Sequence, residues 1–201
     1  MKSCKKLAVE PYTQWEPEVS AASSACGPST MAALLEYWRT RQGHGFIQGW
    51  SHFNSKAAHI NYIYRHHGGT PWGMSVRSFK RGIEAYIGAA FNSEEAPRHK
   101  LSLRTFNDFD QYKAEIDAGR PVAIKFDKWF SFHWKGSFTY DYHWVIGTGY
   151  EHAVDSQEAT LIILDNGGKV PGSFIPSRER RVDYVLNKDI LTMVALNIEK
   201  M

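Results

Sequence analysis

A chain of 201 residues, 43% hydrophobic and 22% charged, buries roughly 70% of its unfolded surface on folding, so neither disorder nor a dependence on staples is expected. Two cysteines exclude a disulfide scaffold and a zinc site built mainly from thiolates, and a net charge of +3 is too small to imply a nucleic-acid or anionic-membrane partner. No apolar run approaches the ~20 residues of a membrane span, and the basic Lys2, Lys5 and Lys6 precede no apolar leader region, which predicts a cytoplasmic protein, or an extracytoplasmic one if the sequence is truncated.

No repeat, low-complexity tract or long linker interrupts the chain, so one domain over 1–201 is expected, helical over about 20–118 and sheet-forming over about 121–198. The first helix begins at Ala25-Cys26-Gly27-Pro28, where the missing proline N–H costs nothing. Met31, Leu34, Leu35 and Trp38 then supply one buried face, and Gly43 and Gly45 end the element. A second helix is predicted over Ser55–His66. A third starts at the N-cap Ser75 and buries Val76, Phe79, Ile83 and Ile87. A fourth, Asp108–Ala118, carries Phe109, Tyr112 and Ile116 and stops at Gly119, with Pro121 two residues on. From Pro121 the period becomes that of strands. Val122–Phe126 is a short apolar run, and alternating aromatics from Phe130 to Trp144 predict a hairpin with one aromatic face. His143–Tyr150, Thr160–Asp165 and Met193–Ile198 complete an antiparallel sheet. The predicted class is α+β, helices first and sheet after.

Cys26 heads the first helix, where unpaired N–H groups and the positive end of the helix dipole favour a thiolate. Such placement lowers a thiol pKa from ~8.5 into the range ~3.5–7.5. The ordinary role of such a cysteine is to pack a helix start. A cysteine nucleophile needs a base, and the base needs an orienting group. His143 opens one strand and Asp165 closes the next. A loop centred on Val154 makes them direct cross-strand partners, and Asp141 shares the strand face of His143. A surface His–Asp pair worth little is the competing reading.

Gln14, the run Ala25-Cys26-Gly27-Pro28-Ser29-Thr30-Met31-Ala32-Ala33-Leu34, Gly119-Arg120-Pro121-Val122, Tyr142-His143-Trp144-Val145-Ile146-Gly147-Thr148-Gly149-Tyr150 and Leu164-Asp165-Asn166 occur in this order. The set resembles the papain-fold peptidases of the peptidase C39-like group, relatives of the bacteriocin leader-processing enzymes. The resemblance implies a papain-like cysteine proteinase fold, bacterial origin, a peptide or protein substrate and no cofactor. It assigns Cys26 as nucleophile, His143 as general base and acid, Asp165 as the orienting group and Gln14 as an oxyanion-hole donor. Gln14 stands twelve residues before Cys26, and Asp165 is followed by Asn166-Gly167-Gly168, which keeps Asn166 open as the third member. Gly27, Trp144 and Trp72 are expected at the substrate. Acyl transfer to an amine on the same triad and a non-catalytic papain-fold binding module are the alternatives.

The remaining motifs are weaker. His52, His59 and His66 recur every seven residues, about 10.5 Å apart on a helix, too far for one metal, so no metal site is expected. Arg178-Glu179-Arg180-Arg181 reads as a solvated loop, and Cys4 as part of a fraying basic tail. Gly147 and Gly149 read as places where a strand passes close to another backbone.

Overall fold

Local signals set the helices. In the computed structural model, which describes residues 2–90, 99–133, 135–153 and 158–201, they form as α1 (Cys26–Thr40), α2 (Lys56–His66), α3 (Val76–Ala90) and α4 (Phe109–Asp117). The Ser55 and Asp108 side chains accept from the N–H groups of Ala58 and Gln111, and Ser75 does the same for Ser78. Helix α1 is buried on every side from Cys26 to Trp38, which makes it the central helix rather than a surface one.

The sheet draws on more of the chain than the sequence pattern announces. Its strands are β1 (Lys2–Lys6), β2 (His99–Phe106), β3 (Val122–Asp127), β4 (Tyr142–Ala153), β5 (Ala159–Leu164), β8 (Glu179–Asp183) and β9 (Leu191–Lys200). They pair antiparallel in the order β2-β9-β3-β4-β5-β8, with β1 against the far half of β4. A small hairpin of β6 (Gly168–Val170) and β7 (Ser173–Ile175) stands apart, and the short α5 (Tyr184–Asn187) follows β8. Strands β1 and β2 lie outside the expected sheet region. The basic N-terminal tail is therefore a strand, and the Arg178–Arg181 run enters the edge strand β8.

Alternation along the strands fills two cores. Ala123, Trp144, Ile146, Val194 and Leu196 face α1, α2 and α3 on one side. Val122, Ile124, Phe126, Val145, Leu161 and Ile163 face α4 on the other. The expected aromatic hairpin does not form: after β3 the chain turns, with Phe130 N–H donating to Asp127 Oδ1 and His133 N–H to the Lys128 carbonyl. Trp134 lies outside the described residues. These backbone bonds close local turns at Phe130 and Phe132, while Tyr142 and Trp144 pair in β4 with Asp127 and Lys125 of β3.

The β4–β5 register also differs from expectation. Ile146 pairs with Leu164, and a bulge between Gly147 and Gly149 shifts the ladder. Val154 lies outside the described residues. Asp165 lies one residue past the end of β5, outside this ladder, so it is not the direct cross-strand partner of His143. Gly149 lets β1 approach: a Cβ there would sit 2.4 Å from the Lys5 carbonyl oxygen.

Candidate active site

Cys26 is the first residue of α1, and Ala25 before it provides no side-chain cap. The first-turn N–H groups are therefore free to serve another acceptor. Backbone N–H groups of Trp144, Gly27 and Cys26 itself favour a thiolate, as does the ammonium of Lys125. Burial outweighs them. The side chain is 5% exposed, and desolvation pushes the thiol above its ordinary pKa. The lowered pKa expected at a helix start is thus not what the resting site holds.

His143 enters at the start of β4 and lines the same cleft of about 550 Å³ as Cys26. Burial pushes its imidazole down to about 4, with Asp165 opposing and Arg180 reinforcing the shift. The Tyr140 ring lies 4.8 Å from the imidazole and is itself packed on Phe126 at 5.0 Å. Arg180 donates to the Tyr140 hydroxyl at 2.9 Å and reaches within 3.8 Å of Asp165 Oδ2. Tyr140 and Arg180 were not among the predicted site residues. Tyr140 sat in a run where core and cleft roles look alike, and Arg180 in a charge cluster that reads as solvated.

The two candidates for the third position are separated by their hydrogen bonds. Asn166 is buried, and its Nδ2 donates toward the Cys26 carbonyl at 2.9 Å, the Trp144 carbonyl at 2.8 Å and Thr30 Oγ1 at 3.1 Å. The amide ties the head of α1 to β4. Asp165 Oδ1 accepts from the N–H groups of Gly167 and Arg178 at 3.0 and 3.2 Å, leaving Oδ2 toward Arg180 and the His143 field. Asp141 is exposed and paired with Lys128 at 2.5 Å.

Gln14 reaches the cleft despite its distance in sequence. Its backbone N–H donates to the Asn166 carbonyl at 3.0 Å, and its Nε2 donates to the Ala22 carbonyl at 2.8 Å. The side chain is buried and its Oε1 has no partner.

Residues 6–170 match the model of the Peptidase_C39 like family. The chain belongs to that family. Its general class is thereby that of the cysteine peptidases. No curated protein matches it. In fold it is similar to the peptidase domain of Streptococcus ComA, a bi-functional ABC transporter involved in a quorum sensing pathway. That likeness has a TM-score of 0.51 and 13% identity, over 96% of this chain and 100% of that one, and it carries the papain-like fold.

Of the residues expected at the substrate of this C39-like chain, only Trp72 is on the cleft wall, 91% exposed. Trp144 is fully buried, stacked on Phe79 at 4.2 Å, with Nε1 donating to the Met74 carbonyl at 2.7 Å. Gly27 is buried too, and a Cβ there would lie 2.8 Å from Met74 Cβ. Both are corrected to a packing role: they dock the segment that carries Trp72 against α1. Trp15, Tyr140 and Tyr142 add further aromatic surface to the cleft. Among the described residues no group of three or more His, Cys, Asp or Glu side chains is placed to hold a metal, and no helix is long and apolar enough to cross a membrane.

Proposed function

We propose that this C39-like chain is a thiol peptidase whose nucleophile is Cys26, whose base is His143 and whose orienting group is Asp165. The observation that supports the reading is that Cys26 and His143, remote in sequence, line one cleft together with aromatic side chains. The Cys26 sulfur attacks the substrate carbonyl as its proton passes to the neutral His143 imidazole. The oxyanion is received by the Cys26 N–H and the second N–H of Gln14 Nε2. Collapse expels the amine, which takes the proton from His143 and leaves a thioester on Cys26. A water then gives its proton to His143 and its hydroxyl to the acyl group, releasing acid and thiol. Asp165 stabilises the transient imidazolium through its charge, and its contacts to Gly167 and Arg178 hold it in place.

The test is digestion of a mixed peptide library read by mass spectrometry. Wild type produces new peptide N-termini at a consistent set of sites, and Cys26→Ala produces none while melting at a similar temperature. Activity that survives in Cys26→Ala overturns the assignment. A labelled amine added to the same reaction separates hydrolysis from transfer: label on the acyl product marks a transferase.

A further inference from the structure

Strand β3, Val-Ala-Ile-Lys-Phe-Asp, is buried along its whole length, yet it carries a lysine and an aspartate. Lys125 Nζ lies 2.5 Å from Asp127 Oδ2, and both side chains are almost fully buried. The ammonium also lies over the Tyr142 ring at 4.7 Å and the Phe130 ring at 5.6 Å. A buried ion pair of this kind adds little net stability over an apolar pair, so packing alone does not account for it.

Its direction is informative. Ala123 faces the core that holds Cys26 and Trp144, and two-residue alternation puts Lys125 and Asp127 on that face. Lys125 is the cross-strand partner of Trp144, whose N–H serves the Cys26 sulfur. Phe126, pointing the other way, is the partner of His143. The ammonium therefore lies on the sheet face that carries Trp144 and packs against the core holding Cys26. Among the described residues, the other titratable groups lining the cleft with Cys26 are Tyr140, Asp141, Tyr142, His143 and Lys169, with Asp127 behind Lys125 and with Asp165 and Arg180 behind His143.

We propose that Lys125 is a positioning residue of the active site: its buried ammonium, held by Asp127 and laid on Tyr142, supplies the positive field in which the Cys26 sulfur gains negative charge. Lys125 touches no reacting atom and acts through that field. The proposal rests on Cys26 as nucleophile. It also gives the two members of the ion pair opposite effects on the thiol, which a packing role does not.

The experiment is the rate of Cys26 alkylation by iodoacetamide between pH 6 and 11, resolved from Cys4 by peptide mapping. K125M raises the midpoint of the profile by about one pH unit, roughly tenfold in rate at a fixed pH below it. K125R, which keeps the charge, stays at the wild-type midpoint. D127N, which removes the counter-ion, lies at or below it. If K125M fails to fold, the uncharged K125M/D127N is read instead and lies above wild type. Coincidence of the K125M (or the double-variant) and wild-type profiles overturns the proposal, and so does displacement of K125M and D127N in the same direction. Failure of the nucleophile assignment has a different signature: wild-type Cys26 alkylation that is indifferent to H143A.

Discussion

At the scale of single residues, burial holds the Cys26 thiol protonated and the His143 imidazole neutral, so the resting pair carries no charge. In the proposed mechanism the proton crosses as the sulfur attacks, and the competent form is the one with a single proton on the pair. Below the imidazole pKa a second proton occupies the base, so kcat/KM falls as pH drops through about 4 rather than through the ordinary histidine value. Above the raised thiol pKa the pair has lost its proton and with it the acid for the leaving amine, so the alkaline limb lies above the usual thiol range. A pH–rate profile from 3 to 11 checks both limbs, and an acid limb near 6.5 contradicts the assignment. Asp165 and Asn166 divide by the same reasoning. Asp165→Asn keeps an acceptor for Gly167 and Arg178 but removes the charge, and lowers kcat by about 10²–10⁴ with a small change in Tm. Asn166→Ala breaks the tie between α1 and β4 and costs about 2–3 kcal/mol in urea unfolding. The reverse pattern would make Asn166 the third member.

At the scale of elements, helices were legible because their signals are local: Ser55, Ser75 and Asp108 cap within three residues, and the apolar period is carried by each helix alone. Strands were less so. Strand β2 alternates Leu101 and Leu103 with Lys100, Ser102 and Arg104, but its partner β9 lies far along the chain and nothing nearby announces the pairing. The aromatic run after β3 alternates equally well, yet Asp127 captures its start at Phe130 in a turn, and among the described residues only Tyr142 and Trp144 of it lie in a strand. The reading of Gly149 as a close approach holds: β1 crosses there, and Leu7 N–H donates to the Thr148 carbonyl at 2.7 Å. Gly149→Ala drives a methyl into the Lys5 carbonyl, so it destabilises by about 1–3 kcal/mol and exposes the bonds after Lys5 and Lys6 to trypsin. Unchanged stability and unchanged cleavage in that variant would show that β1 is not seated as described.

At the scale of the molecule, the proposed site draws on distant parts: Gln14 from the N-terminal segment, Cys26 from the head of α1, His143 from β4 and Asp165 from just past β5. Their order along the chain was readable. Their contacts were not, because Asn166 and Arg180 take meaning only once β5 and β8 pair. A second buried network sets the acid stability of the whole. His59 is fully buried between the Tyr12 and Tyr86 hydroxyls, at 3.2 and 3.0 Å. Tyr86 donates to the Gln48 carbonyl, so it accepts from His59 Nε2–H, and Tyr12 donates to Nδ1, leaving the ring neutral. Burial pushes its pKa to about 3. The unfolded chain binds the extra proton below about pH 6.5, so stability is full above that value and falls toward pH 3. Between pH 6.5 and 4 this one group removes roughly 3 kcal/mol, and His143 adds in the same direction. Urea unfolding of His59→Gln shows a shallower decline over that interval; an identical slope would remove His59 from the account. The central claim, that His143 activates Cys26, meets its most direct test in iodoacetamide labelling at neutral pH. Cys26 is buried and Cys4 exposed, so access alone favours Cys4. If the imidazole takes the thiol proton, Cys26 labels faster in the wild type than in His143→Ala, while Cys4 labels at the same rate in both. Equal Cys26 rates with and without His143 would contradict it.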